Sequence, residues 1–564
     1  MPADEPGPSA GSAPVDPGHS AGSAPVDPGH SAGSAPAPRL GPSDSRPSRP
    51  PQTSLDDIVA ASSATEVPVD TETGRFVTGV DLRAQDIRSG DLFAALPGSS
   101  VHGATFVGDA LERGAAAILT DSAGLEIVRE KYTPLPVPVL VHDAPRSVLG
   151  TISALVYGNP SEHMTVIGIT GTSGKTTTSY LLEAALTAAG KVTGLIGTIE
   201  TKIAGSRVPS ALTTPEAPRL HALFAVMREH GIDTVVMEVS SHALSLGRVD
   251  GTVFSVGAFT NLSQDHLDFH DSLEDYFQAK ARLFSGDSAV HTRSAVVCVD
   301  DVWGKRMAEI ATTAGSSVVT ASVSAESDWT VSGATTNDDG SQRFTVVEPG
   351  GAQHPASIRL PGRYNIANAV LAVATCAAAG VDVDRAIAGI ATVDVPGRVQ
   401  RIERGQDFLA VVDYAHKPAA VEAVIETLKA QTRGRIAVVL GAGGDRDTGK
   451  RALMGAAGAR GADLLVITDD NPRSEDPAAI RDAVAAGAQA VDPLVRGEIR
   501  TVAGRADAIA DAVQWARTGD VVLVAGKGHE TGQEIAGVKH PFDDRQVLAD
   551  AIDRRIDAES GETS

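Results

Sequence analysis

MTVIGITGTSGKTTTS, residues 164–179, is an apolar run that breaks into a glycine-rich turn closing on Lys175 and Thr176. Residues 166–169 predict a buried strand, and Tyr180, Leu181, Glu183, Ala184 and Leu186 recur at helical spacing before Gly190 stops the helix. Between them, Gly171, Thr172, Ser173, Gly174, Lys175, Thr176 and Thr177 read as a phosphate cradle. Glycine's tolerance of unusual dihedrals lets successive N–H groups face phosphate oxygens; Lys175 adds a positive charge and Thr176 a hydroxyl for magnesium. The plainer alternative is a strand-to-helix turn without a ligand, and the Lys-Thr-Thr ending weighs against it.

A chain of 564 residues exceeds what one core supports, so about three domains are expected. The net charge of -23 argues against a nucleic-acid or membrane-surface role, so anionic substrates must be met by local Arg, Lys and metal. Cys298 and Cys376 lie in apolar surroundings without metal-ligand spacing, as reduced core residues of a cytoplasmic enzyme would. Residues 1–50 carry an 11-residue repeat, SAGSAPVDPGH, too poor in large apolar residues to build a core; a disordered tail is expected, whose deletion removes no core and no motif. No signal peptide and no membrane span are read.

Residues 51–158 alternate strand candidates (116–119, 137–141) with a helical one (104–113), a small α/β domain. Residues 159–395 read as a doubly wound, mostly parallel sheet with the phosphate site at the carboxyl ends of its strands. Thr213 and Thr214 open a Thr-Thr-Pro-Glu turn whose hydroxyls could bind a phosphate or carboxyl, though such a sequence is more often just a turn. Glu238 ends an apolar strand, so it needs a cation partner or a metal. His266 follows Asp265 and precedes Lys280; a zinc site there would need soft ligands that the spacing does not supply, and Lys280 could simply be a solvated helix residue. Asn365 and Asn368 stand at a helix start, where amides serve as caps. Residues 396–564 form a Rossmann-like domain without a dinucleotide fingerprint. It opens on the hinge-like turn Pro396-Gly397-Arg398 and a strand ending at Asp413. GGDRD (443–447), DDNPR (469–473) and GKGHE (526–530) each follow a strand and face one crevice. Arg446, Arg473 and Glu530 there supply cations for a carboxylate and an acid for an ammonium, the needs of an amino acid with a distal zwitterion.

The shortened TGTSGKT turn, TTPE, the EVSSHALSLGR segment, YFQAKARLF, the hinge and DNPR occur in the order found in the Mur ligase family, and the chain resembles that family from about residue 55 to 548. The resemblance implies an ATP- and magnesium-dependent amide ligase of peptidoglycan synthesis, cytoplasmic and monomeric. Its substrates would be UDP-N-acetylmuramoyl-L-alanyl-D-glutamate and meso-2,6-diaminopimelate, DNPR being the signature of the diaminopimelate-adding branch. It implies that Glu238 and Thr176 hold the magnesium bridging the ATP phosphates, that His266 holds a second, and that Lys280 is carbamylated to orient it. Asn365 and Asn368 would line the adenine and ribose pocket, and Arg398 and Asp413 would close over ATP. Thr213, Thr214, Ser240 and Arg248 would contact the UDP-muramoyl-dipeptide. Arg446, Asp470, Asn471, Pro472, Arg473, Gly526 and Glu530 would hold diaminopimelate. The family usually reads Leu-Asp-Ser-Arg where this chain has Leu82, Arg83, Ala84 and Gln85, so only Leu82, His102 and Gly103 remain as uridine-site candidates.

Alternatives are a lysine-adding relative, a folylpolyglutamate synthase, which has no use for an acid at Glu530, a phosphotransferase using the P-loop on a hydroxyl, and a nucleotide-gated binding module without chemistry.

Overall fold

Runs of Val, Ile, Leu and Ala bounded by glycine and polar turns build a succession of sheets in this chain, and the middle one carries the P-loop at its centre. The computed structural model describes residues 46–69, 75–208, 212–337, 340–445 and 447–562. The first sheet has five strands, in the order Thr65–Val67, Val139–Val141, Ala117–Thr120, Asp91–Ala94, Gly79–Asp81, all parallel except the antiparallel edge pair formed by the first two. The middle sheet has eight: Ser206–Val208, Thr201–Ile203, Thr193–Ile196, Thr234–Glu238, Thr165–Thr170, Val256–Phe259, Ser294–Cys298 and Ser317–Ala321. Only the second strand, Thr201–Ile203, runs antiparallel to the rest.

Side chains alternate across a strand, and here both faces are covered. Ile167 and Ile169 enter one cluster with the helices Lys175–Ala188, Arg363–Ala378 and Val383–Ile390. Val166 enters the opposite cluster with Ala217–Glu229, Leu273–Ala281 and Val302–Thr313. Each Leu, Ile or Phe so buried contributes about 1.5–3 kcal/mol, which makes the P-loop strand the best-fixed part of the molecule. Its register sets the site. Ile169 pairs with Glu238 on one side and with Ala258 on the other, so the carboxylate and the segment after Phe259 both emerge beside Gly171.

The third sheet runs Gln400–Arg401, Leu409–Asp413, Val521–Ala525, Ile436–Leu440, Leu464–Ile467, Glu498–Thr501, parallel apart from its first edge. The strands leading to GKGHE, GGDRD and DDNPR are therefore neighbours.

Several elements differ from the sequence reading. The P-loop helix begins at Lys175, two residues early, because Gly174 takes a φ of 91° and serves as its N-cap position. The helix expected over 104–113 is a 3-10 turn, Gly103–Phe106, followed by Val107–Glu112. A separate antiparallel sheet, Thr330–Thr336, Gln342–Val347 and Gln353–Ile358, was not foreseen.

The expected tail boundary near residue 50 also moves. Residues 1–45 lie outside the described residues, but Arg46 is docked: it donates to Asp81 (2.9 Å) and to Asp91, whose side chain is buried. The N–H groups of Ser48 and Arg49 donate to Glu229 at 2.9 and 3.0 Å, at the end of a central-domain helix. Residues 46–50 thus join the first domain to the second, and deleting through residue 50 would strip a buried carboxylate of its cation. Arg46→Ala is expected to lower the unfolding free energy by about 2–4 kcal/mol, near the range for breaking a buried pair, and Arg46→Lys by less. Urea denaturation of the two variants checks this; a change within about 0.5 kcal/mol for the alanine variant, the scale of a surface substitution, would refute the anchoring role.

Candidate active site

The P-loop is held from behind by the segment that follows Phe259. Thr172 N–H donates to the Asn261 carbonyl (2.9 Å), Ser173 N–H to Asn261 Oδ1 (3.0 Å), and the Thr260 hydroxyl to the Ser173 carbonyl (2.7 Å). These bonds use the N–H groups of Thr172 and Ser173 internally, which narrows the expected cradle. The N–H groups that remain suited to an anion are those of the first turn of the helix from Lys175, which have no intrahelical acceptor. Gly174 is required as glycine, since a Cβ there would lie 2.4 Å from Asn368 Oδ1.

Three ammonium groups converge on this loop. Lys175 Nζ donates to the carbonyls of Gly171 (2.9 Å) and Thr172 (3.1 Å). Lys280 Nζ donates to the same Gly171 carbonyl (2.9 Å) and sits 4.3 Å over the Tyr276 ring. Lys417, brought in by the third domain, lies 2.6 Å from Asp265 and donates to Thr172 O at 3.4 Å. Burial, then Lys417, pulls Lys175 down to about 8. Lys280, 1% exposed, is held well below the usual lysine value by burial and by the charges of Lys175 and Lys417. It is not the solvated helix residue that the sequence left open. Burial alone would raise the Asp265 carboxyl, but Lys417 and His266 outweigh it and hold it below its ordinary value.

Glu238, 1% exposed, makes no ion pair within 4.0 Å among the described residues, though its charge reaches Lys175. Its carboxylate accepts from the hydroxyls of Thr176 (3.1 Å) and Thr198 (2.9 Å) and from Thr198 N–H (2.9 Å). Thr214 donates to the Glu238 carbonyl (2.9 Å), and the hydroxyls of Thr213 and Thr198 are 3.1 Å apart, so the Thr-Thr-Pro turn braces this carboxylate. Ser240 caps the short helix Ser241–Ser245, and Arg248 Nε is 2.8 Å from Glu216. His266 takes a φ of 54°, places Nε2 3.1 Å from Asp265 and meets His242 edge-on; burial lowers it to about 3, so it is a neutral imidazole. Among the described residues, no group of three or more His, Cys, Asp or Glu is placed together as metal ligands.

From the third domain Arg398 donates to the Thr176 hydroxyl (3.2 Å) and stacks on Tyr414. Asp413 accepts from the N–H groups of Val399 and Ala415, each at 2.7 Å, which fixes the hinge turn. Burial raises its pKa against the pull of Arg398 and those two N–H groups. Gly397, at φ 66°, packs backbone to backbone on Gly528 and His529: a Cβ would lie 2.3 Å from His529 N. Asn365 does not cap its helix. Its amide donates to the Pro361 carbonyl (2.7 Å) and accepts from Asn368 (3.1 Å).

One cleft of about 900 Å³ collects Thr172, Ser173, Gly174, Lys175, Thr176, Thr177, Thr213, Thr214, Glu238, Ser240, Arg248, His266, Asn365, Asn368, Arg398 and Asp413. Asn261, Thr198 and Lys417 line it too and were not singled out in the sequence, where Asp265 entered only as the neighbour of His266. Leu82, His102 and Gly103 lie outside that lining. Leu82 packs on the first domain's core, and His102 accepts from Ala104 N–H and reaches Asp121 at 3.1 Å, so these residues are engaged in that domain's own packing.

The second cluster stands at the carboxyl ends of the third sheet. Glu530 Oε2 accepts from Asn471 (3.0 Å) and from Lys527 (3.1 Å), a buried cation that the sequence reading passed over. Arg473, at φ 52°, donates to the Gly444 carbonyl and stands 3.7 Å from Glu534, tying DDNPR to the GGDRD loop and to the strand Gly532–Ile535 that follows GKGHE. Asp470 adjoins Lys527 at 3.8 Å, and Gly526 backs onto it. Pro472 accepts from Glu475 N–H. Arg446 lies outside the described residues.

Family models match the chain in three consecutive stretches: Mur ligase family, catalytic domain, over residues 76–157; Mur ligase middle domain over 169–376; and Mur ligase, glutamate ligase domain, over 397–528. A UDP-N-acetylmuramoyl-L-alanyl-D-glutamate–2,6-diaminopimelate ligase of Corynebacterium glutamicum is 51% identical over 508 residues, 89% of this chain and 97% of that protein. One from Streptomyces coelicolor is 52% identical over 479 residues, 84% and 92%. A solved structure of a ligase of the same name superposes with a TM-score of 0.61 at 29% identity, covering 90% of this chain and all of the other. With three family domains in order around a P-loop cleft, the chain belongs to the Mur ligase family.

Proposed function

We propose that this protein is an ATP-dependent ligase that joins the amine of meso-2,6-diaminopimelate to the D-glutamate carboxyl of UDP-N-acetylmuramoyl-L-alanyl-D-glutamate, in the cytoplasm, for peptidoglycan synthesis. The observation that carries it is the pairing of a P-loop cleft with a separate crevice of both charge signs, in a chain about half identical to ligases named for that reaction.

A carboxylate is a poor electrophile, so it is activated first. Its oxygen attacks the γ-phosphorus of ATP, the bond to the β–γ bridging oxygen breaks, and ADP leaves an acyl phosphate behind. The diaminopimelate amine, as free base, attacks the acyl carbon; the tetrahedral intermediate loses the amine proton and expels inorganic phosphate. Lys175 and Arg398 carry positive charge to the transferred phosphoryl group, and Asn365 and Asn368 line the nucleoside end.

The donor set fits magnesium, which binds nucleotide phosphates through one or two protein oxygens and keeps water in its other positions. Thr176 and Glu238 offer a hydroxyl and a carboxylate 3.1 Å apart on the cleft wall. Bound there, it would offset phosphate charge. A second ion at His266 fits only if Lys280 becomes an anion; burial and the charges of Lys175 and Lys417 favour its unprotonated amine, the form that adds carbon dioxide to give a carbamate.

The overall reading is tested by ADP and phosphate release from purified protein: both should require the UDP-dipeptide and ATP, and phosphate release should also require the amino acid. Release with a simple alcohol in place of both would favour a phosphotransferase. Lys280→Ala is expected to lose most activity and to regain part of it with added formate or acetate, which replace the missing anion; full activity of the variant would refute the modification. Arg473→Ala is expected to reduce kcat/KM for diaminopimelate at least about tenfold, since a charge-assisted hydrogen bond to its distal carboxylate is worth about 1.5–3 kcal/mol. Use of lysine, which lacks that carboxylate, should fall much less. Equal losses in a competition between the two amino acids would mean that Arg473 only ties these segments together.

A further inference from the structure

The segment Gly526-Lys527-Gly528 is built to turn a lysine inward. Both glycines take positive φ, 117° and 53°, which other residues rarely adopt, and a Cβ on Gly528 would lie 2.7 Å from Tyr414. The backbone reversal sends Lys527 under the crevice, where it is 0% exposed. A buried ammonium is strongly unfavourable unless fully partnered. Here it donates to Asn471 Oδ1 (3.0 Å) and Glu530 Oε2 (3.1 Å), with Asp470 at 3.8 Å.

These contacts fix more than the lysine. Asn471 Oδ1 accepts from Lys527 and from Glu534 N–H (3.0 Å), so its amide nitrogen must face Glu530, and it donates to the same Oε2. Among the described residues, both side-chain hydrogen bonds to the Glu530 carboxylate, from Asn471 and Lys527, go to Oε2 and none to Oε1. The charges also count. Arg505 and Asp544 close on each other through two 2.7 Å bonds, and among the described residues Lys527 is the one cation within 4.0 Å of Asp470 or Glu530. Lys527 is shared between the two carboxylates, and Oε1 of Glu530 keeps acceptor capacity for one further ammonium.

From this geometry we infer that Lys527 is a positioning residue for amino-acid selection. It holds Glu530 so that one oxygen accepts the distal ammonium of the incoming amino acid, and it excludes that ammonium from Asp470. The inference rests on the reading of Glu530 as the acceptor for that ammonium, and goes beyond it by assigning the residue that aims it.

The test compares diaminopimelate with 2-aminopimelate, which keeps the reacting amine and both carboxylates but lacks the distal ammonium. The readout is the ratio of their kcat/KM values, with KM for ATP and the melting temperature as controls. Lys527→Met and Lys527→Gln should each lower the ratio about tenfold, the scale of a charge-assisted hydrogen bond, with KM for ATP within about twofold. Lys527→Arg, which keeps the charge, should retain a larger part of the ratio than either. If the methionine variant does not fold, the glutamine variant, which can still hydrogen-bond, decides. An unchanged ratio in the folded variants overturns the inference. Glu530→Gln separates the two levels. If it collapses the ratio while the Lys527 variants do not, only the positioning role fails; if it too leaves the ratio unchanged, Glu530 does not hold the ammonium and both fail.

Discussion

The structure depends on a crowding of positive charge around two carbonyl groups. Lys175 and Lys280 share the oxygen of Gly171, and Lys175 and Lys417 share that of Thr172. Like charges so close, with burial added, are unfavourable unless anions or proton loss relieve them. Asp265 relieves Lys417 by direct contact; Lys280 is relieved by favouring its neutral form. The cleft therefore holds a standing demand for anionic charge, which a nucleotide triphosphate meets. A chain of strongly acidic composition concentrates its cations where the substrate is most negative.

The same crowding explains why two domains are needed. Lys417 and Arg398 arrive from the third domain, while the loop and Glu238 belong to the second. Neither domain completes the cleft alone. The joint is a hinge turn whose geometry is held by the two oxygens of Asp413, a buried carboxylate whose bonds go to backbone N–H groups. That assigns Asp413 a part in fixing the turn that presents Arg398.

Much of this was legible in the sequence. An apolar run ending in GTSGKT can hardly be other than a strand feeding a helix through a phosphate turn, and Glu238 at the end of such a run needed an unusual environment. What could not be read is what depends on distant pairing. Arg46 looks like one more polar residue in a Pro- and Ser-rich stretch until Asp81 and Asp91 fold against it. Lys417 and Lys527 sit beside noticed motifs, but their partners come from other loops. The sheet from Thr330 stayed hidden because its first strand is polar and mostly exposed, without the alternation that marks a half-buried strand. Asn365 resembled a helix cap in composition alone; its bond to Pro361 depends on how the preceding turn folds back.

The packing of Gly397 on Gly528 and His529 couples two readings that would otherwise be independent. On the proposed function, the backbone that carries Lys527 and Glu530 at the amino-acid crevice rests on the turn that carries Arg398 at the nucleotide cleft, and at Gly397 no side chain separates them to absorb a displacement. An amino acid that seats poorly and shifts the GKGHE loop also shifts the hinge. On that reading selection would act on the rate of the chemical step as well as on occupancy, with fidelity transmitted through direct backbone contact.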